Sequence, residues 1–460
     1  MHEQRSINAQ IKDSLNNISP GMCLAKWYEM TLHLASGHNH SCHHVKTHQI
    51  PVEEIKRNIN AIHNSEYKKS VRRDIFAGQR PQECSYCWNI EDTVTDNTVF
   101  SDRVNYSEWF LKRNKNLLNT VLENGPDADY YPMTLEVSFS TTCNFKCSYC
   151  SPDVSSRWMK DYEKNGSFPV VSSHATLENI QSQGKMPISD KEYNPYIEAF
   201  WQWIPHALPH LKNLRVTGGE PLLIKHTFKL IDWINKNPNK ELEFGINSNL
   251  GVPRTIIDRF IAQTHSILDK TQSFTVWTSC EAQGAQAEYI RYGLDYDYWL
   301  SNCYRILDEI PGSNLYIMTT YALTSVPSYL KFLEDICELK KQFPNRVMLD
   351  THNYLAHPQC LTVDILTEDF FSHIQQQREY IEKYAKLGIF DDNELQKVQR
   401  QENYFQNRMR NPLETNWLNT LRKDFAVYID EYDRRCGTNF VEVFPELKDF
   451  YLLCKSLTLE

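Results

Sequence analysis

The sequence predicts an α/β protein, on three observations. Between residues 131 and 355, short runs that alternate apolar and polar residues trade places with longer segments of helical period, the pattern of strands joined by crossover helices. Polar residues and turn formers gather where each strand-like run stops. Before 130 neither period is sustained and after 356 the helical one takes over, so the 460 residues divide into an N-terminal cysteine-containing region (1–130), the alternating region (131–355) and a helical C-terminal extension (356–460). Hydrophobic residues make up 41% of the chain, enough to fill a sizeable core. The net charge of −9 gives no reason to expect a polyanion-binding surface, so nucleic acid is not an expected partner. No run approaches the about 18 apolar residues of a membrane span, and residues 1–5 lead into no apolar segment, so the expectation is a soluble, cytoplasmic chain with no membrane partner. In such a compartment the 13 cysteines point to metal or cluster ligation where they lie close together and to simple burial where they stand alone.

In the first region the cysteines are Cys23, Cys42, Cys84 and Cys87. The last two form a CxxC pair, and Cys42 sits within His38-Asn39-His40-Ser41-Cys42-His43-His44. Four thiolates complete either a closed [4Fe-4S] cube or a tetrahedral structural zinc, and the residues leave both open. His43 or His44 is the natural replacement for a cysteine that proves distant.

The alternation begins with a strand at 135–140, followed by Cys143, Cys147 and Cys150 in a CxxxCxxC spacing. Three thiolates hold three corners of a cube and leave one iron open; the same spacing also suits a zinc loop. Residues 151–191 are polar, punctuated by Gly166, Pro169, Gly184 and Pro187, and read as a surface insertion or a lid. Ser189 and Glu192 have capping-box spacing, predicting a helix over 193–206. A strand at 214–217 runs into Gly218-Gly219-Glu220-Pro221 and a helix at 222–234. Two glycines let the backbone approach a ligand, Glu220 offers an acceptor to an ammonium, and Pro221 starts a helix without losing an amide bond. The next strand, 242–249, ends in Asn247, Ser248 and Asn249. A fourth, 274–280, ends in Ser279 and the lone thiol Cys280, and Ile290-Arg291-Tyr292-Gly293 follows. Strands at 315–320 and 347–350 complete six parallel repeats, a curved sheet with helices outside and ligand sites at the strands' C-terminal ends. Thr319, Thr320, Asp350, His352 and Asn353 stand at such ends. Helices at 370–387, 392–409 and 418–435 close the chain, with Gly437 placed to end the last.

Together these residues resemble the radical SAM superfamily. Cys143, Cys147 and Cys150, with Tyr149 before the last, match its CxxxCxxC motif, and Gly218-Gly219-Glu220-Pro221 matches its GGEP motif, in the same order and about 70 residues apart. The resemblance implies a partial (β/α)6 barrel and a [4Fe-4S] cluster whose open iron binds the amino and carboxylate groups of S-adenosyl-L-methionine. It implies Tyr149 near the adenine, Gly218, Gly219 and Glu220 at the methionine end, and Asn247, Ser248 and Asn249 reaching the ribose and methionine. Residues 274–293 are similar to the SxDG...IRxG region of SPASM-like relatives, which implies that Ser279 and Arg291 help bind S-adenosylmethionine; Ser279-Cys280 replaces the usual Asp-Gly neighbourhood. Cys23-x-x-x-Trp27, His40-Ser41-Cys42-His43-His44 and Arg80-Pro81-x-Glu83-Cys84-x-x-Cys87-Trp88, with the tail 431–447, look like radical SAM proteins with a twitch domain. That likeness favours a second [4Fe-4S] cluster on Cys23, Cys42, Cys84 and Cys87, with zinc the alternative; twitch and SPASM cysteines follow the barrel, whereas these precede it. The implied activity is reductive cleavage of S-adenosylmethionine to a 5'-deoxyadenosyl radical that abstracts hydrogen from a C–H bond of a small-molecule or peptide substrate. A flavodoxin- or ferredoxin-like protein would supply the electron. The alternatives are an RNA-modifying radical SAM enzyme and a zinc-stabilised non-catalytic binding protein.

Overall fold

The computed structural model describes residues 2–93, 99–172 and 175–459, and the side chains of all of these but 2–6, 352, 353 and 459. It is α/β, with mostly parallel strands and many helices. In chain order the described strands are β1 (Glu29–His33), β2 (His38–His40), β3 (His48–Gln49), β4 (Thr134–Ser138), β5 (Lys146–Cys147), β6 (Asn213–Thr217), β7 (Glu243–Asn247), β8 (Ser273–Ser279), β9 (Arg291–Tyr292), β10 (Asn314–Tyr321) and β11 (Val347–Tyr354). The chain forms two compact units. One is Met1–Ser140 with Met186–Gly218 and Asn239–Phe244; the other is Thr141–Lys185 with Gly219–Pro238 and Gly245–Glu460.

In the first unit β4 pairs in parallel with β1 and with β6, setting Leu135 opposite Met30 and Leu214, and Val137 opposite Leu32 and Val216. All six side chains are wholly buried, so the alternation in each run is that of one buried face. β1 also returns antiparallel onto β2, and β2 onto β3. The expectation that residues before 130 stay outside the alternation is therefore corrected: they supply three strands. β2 was hidden by its polarity: its buried Asn39 donates from Nδ2 to Ile62 O at 2.9 Å, a bond to a residue far along the chain that helps a polar strand be interior. The turn between β1 and β2 depends on Gly37, whose φ is +69° and whose position leaves no room for a methyl beside the Tyr196 ring. Leu15, Met22, Trp27, Ile75, Phe110 and Val121 form the apolar core behind these strands. The helix expected from Ser189 begins later, at Pro195–Ala207, with the Asn194 side chain accepting from the Tyr196 and Ile197 amides. Proline favours the first helical position, which sets the start; Ser189 and Glu192 close a separate turn.

In the second unit β8, β10 and β11 run parallel, and the Ser248 amide at the end of β7 donates to Trp277 O on β8 at 2.7 Å. β5 and β9 form a separate antiparallel pair. Residues 151–191 are not a bare surface insertion: Ser156–Asn165 is a helix that buries Trp158, Met159 and Tyr162, and Phe168 stacks on Tyr428 at 4.1 Å. The helix expected at 222–234 is split, because Glu220 accepts from the Leu222 amide and fixes a 3-10 turn at Pro221–Leu223 before Lys225–Lys236. The C-terminal helices are Phe371–Ala385, Asp392–Arg410 and Thr415–Cys436. Asp391 and Glu394 form a capping box on the second, and Gly437, at φ +70°, ends the third. Among the described residues no helix is long and apolar enough to cross a membrane.

Candidate active site

The loop of Cys143, Cys147 and Cys150 is held rigidly from behind. Three carbonyls are capped by buried side chains: Cys147 O accepts from Trp158 Nε1 at 2.8 Å, Ser148 O from the Tyr428 hydroxyl at 2.6 Å, and Lys146 O lies 2.9 Å from the Tyr432 hydroxyl. Lys146 itself reaches Asp161 at 3.0 Å, which also pairs with Arg435 at 2.9 Å. The Phe145 amide donates to Cys143 Sγ at 3.4 Å. The Phe145 ring is buried between two glycines: a methyl at Gly251 would lie 2.3 Å from it, and one at Gly293 3.0 Å. Burial pushes the Cys143 thiol up to about 12; Cys147 is pushed up first by its hydrogen bond with Cys150 and then by burial. Thiols held this close ionise when a cationic centre binds them, as metal ligation requires.

The GGEP turn meets this loop directly. The Glu220 amide donates to Thr142 O at 2.7 Å, and a methyl at Gly219 would collide with the carbonyls of Thr141 and Thr142. Gly218, at φ +133°, has equally little room beside Ser138 and Ser140. Glu220 is wholly buried and accepts from the Leu222 amide at 2.9 Å, the Ser248 hydroxyl at 2.8 Å and the Asn249 amide at 2.6 Å. The carboxylate thus ties the turn to the end of β7. Burial outweighs these donors and pushes its carboxyl up to about 7. Asn249 continues the chain of bonds to Asn144, beside Cys143, at 2.9 Å. Asn247 is half-buried at the strand end.

A second set of bonds starts from Cys147. β5 places Cys147 opposite Arg291, whose Nη1 lies 3.9 Å from Cys147 Sγ and whose Nη2 donates to Glu281 at 2.6 Å. The Tyr149 hydroxyl is 3.1 and 3.2 Å from the two Glu281 oxygens. Glu281 escaped the sequence reading, though it stands two residues after Ser279, where the S-x-acid pattern could have found it. Ser279 is half-buried at the end of β8, while the buried Cys280 thiol donates to Ala282 O at 3.3 Å. Ser148 Oγ and Arg291 Nε are buried with no hydrogen-bond partner among the described residues. Thr319 and Asp350 are buried and bonded within the protein, Asp350 to Lys397 at 2.9 Å. Thr320 is half-buried; the His352 and Asn353 side chains lie outside the described residues.

In the first unit Cys23, Cys42, Cys84 and Cys87 line one pocket with Lys26, His44, Trp88 and Arg103. Lys26, ion-paired with Glu83, lies among these sulfurs, and its charge favours the ionised forms of Cys23, Cys42 and Cys84. Burial pushes Cys42 up to about 11 and Cys23 higher still. His44 is occupied by Asp102 at 2.5 Å and stacks on Tyr86, and His43 is exposed. Among the described residues no three His, Cys, Asp or Glu side chains converge as ligands of a single ion; in a cubane each thiolate binds a different iron.

Scans against family models and against curated proteins gave no match. Among solved structures the chain is similar to that of TYW1 with a lysine-pyruvate adduct bound, at 15% identity, over 52% of this chain and 70% of that one, with a TM-score of 0.25. A likeness of that degree defines neither a fold nor an activity.

Proposed function

We propose that the chain is a radical S-adenosylmethionine enzyme built on a partial (β/α)6 barrel. The observation that carries this is the hydrogen bond from the Glu220 amide to Thr142 O, which joins the GGEP turn to the CxxxCxxC loop as one structure. Cys143, Cys147 and Cys150 would hold a [4Fe-4S] cluster, with amide and guanidinium donors already directed at two of their sulfurs. When bound, the cluster and S-adenosylmethionine supply reductive C–S cleavage and, through the 5'-deoxyadenosyl radical, hydrogen abstraction from a substrate C–H bond. Gly218 and Gly219 give the backbone close approach to the methionine end, and Glu220 ties the turn to Ser248 and Asn249 at the end of β7. Tyr149, Asn247 and Ser279 are half-buried, at the positions that would adjoin the adenosyl end. The buried cap of Trp158, Tyr428 and Tyr432 keeps water off the loop's carbonyls.

Four cysteines lining one pocket support a second [4Fe-4S] cluster in the first unit, with zinc the alternative. The substrate we propose is a small molecule or a peptide, and the electron donor a flavodoxin- or ferredoxin-like protein. Anaerobically purified protein is expected to contain about eight irons and to cleave S-adenosylmethionine under reduction. Cys143→Ala is expected to abolish cleavage and keep about four irons, whereas Cys84→Ser loses the other four. Full cleavage by the Cys143→Ala protein overturns the assignment; zinc lost with Cys84→Ser assigns that site to zinc.

A further inference from the structure

Arg291 and Glu281 form an ion pair with side chains 7% and 0% exposed. Burying such a pair costs more than packing apolar residues of the same volume, so its presence is poorly explained by stability alone. Its setting offers an explanation. The β5–β9 ladder fixes Arg291 across from Cys147, and one guanidinium nitrogen is directed at the Cys147 sulfur. Glu281 holds that guanidinium from the other side and is in turn held by the Tyr149 hydroxyl, over whose ring the guanidinium carbon lies at 5.6 Å.

A cation with an N–H on a cluster thiolate favours the more negative, reduced state; a buried anion nearby opposes it. On the reading proposed above, we infer that this pair sets the reduction potential of the three-cysteine cluster, with Arg291 raising it through Cys147 and Glu281 lowering it. The step concerned is the gain of one electron by the oxidised cluster, supplied in the test by titanium(III) citrate. Arg291 and Glu281 are then positioning residues acting through Cys147, which distinguishes this role from direct contact with S-adenosylmethionine.

The test is an EPR-monitored redox titration of the anaerobic full chain without S-adenosylmethionine, alongside iron analysis. To isolate the signal, each protein carries Cys84→Ser. Arg291→Gln is expected to shift the reduction equilibrium at least tenfold toward the oxidised cluster, which is 59 mV downward for one electron. Glu281→Gln is expected to shift it upward, and the double variant to fall between them. Should either single variant lose iron, Tyr149→Phe, which removes only the hydroxyl that partly neutralises Glu281, is expected to lower the potential with iron intact, and Arg291→Lys to lower it by less than 59 mV. Unchanged potentials, or shifts of one sign for both charge variants, overturn the inference while leaving the enzyme assignment standing. A parent chain that takes up no iron at Cys143, Cys147 and Cys150 overturns the assignment itself and the inference with it.

Discussion

Phe145 links packing to the candidate site, and Gly251 is the position from which to test it. A methyl there would lie 2.3 Å from Phe145 Cζ, more than 1 Å inside the roughly 3.5 Å of ordinary carbon contact. The ring has nowhere to retreat: it is 1% exposed and its other edge faces Gly293. Relief must come from the backbone between Cys143 and Cys147. Overpacking of this kind costs about 1–3 kcal/mol, and the displacement falls on the segment whose amide donates to Cys143 Sγ. Gly251→Ala is therefore expected to lower the unfolding free energy read from urea melts by that amount and to cost about four irons per chain in anaerobic protein. Gly388→Ala is the control. At φ +74° with none of the described residues within 4 Å of the added methyl, it carries a backbone strain of about 1 kcal/mol without touching the loop, and its iron content should equal that of the parent. A Gly251→Ala protein with the parent's full iron complement refutes the claim that this ring holds the loop.

Glu220 predicts a pH dependence. Burial raises its carboxyl from 4.5 to about 7, so its contribution to stability is fully present below about 4.5 and is lost as pH rises through about 7, a difference on the order of 3 kcal/mol. Glu220→Gln should remove that slope, so the parent should lose stability relative to the variant between pH 5 and 7.5 in paired denaturant melts; parallel curves contradict the buried carboxylate. Glu394, wholly buried, accepts from Lys340 at 2.8 Å and from the Leu349 amide at 2.7 Å. Glu394→Ala strands both donors and is expected to cost about 3–5 kcal/mol, read by chemical denaturation; a loss under about 1 kcal/mol rejects that role.

Several elements were legible in the sequence because they follow from local chemistry. The alternation at 135–138, 214–217 and 274–279 marks strands of one buried face, and Gly218 and Gly219 mark a turn that admits no side chain. Gly437 ended its helix as expected. Other features depend on partners far along the chain. β2 was hidden because a strand containing His38, Asn39 and His40 is interior only when its polar side chains find carbonyls, Asn39 that of distant Ile62 and the two histidines those of Ser36 and Cys42. Arg291 was found but Glu281 was not, although its place two residues after Ser279 was a signal; what the acid does there emerges only when Arg291 and Tyr149 are brought to it. Tyr428 and Tyr432 lie within the helix expected at 418–435 and carried no signal of their own; only the fold reveals that they close over Ser148 and Lys146.

That last arrangement has a temporal side. Ser148 leaves the ribosome 280 residues ahead of Tyr428, which later covers its carbonyl. At about 5–20 residues per second the delay is roughly 14–56 s, during which the three thiols are on a growing chain whose retaining helix has not been made. Whatever those thiols take up must either wait for the finished polypeptide or be delivered to an open, water-exposed loop and survive there until the lock arrives.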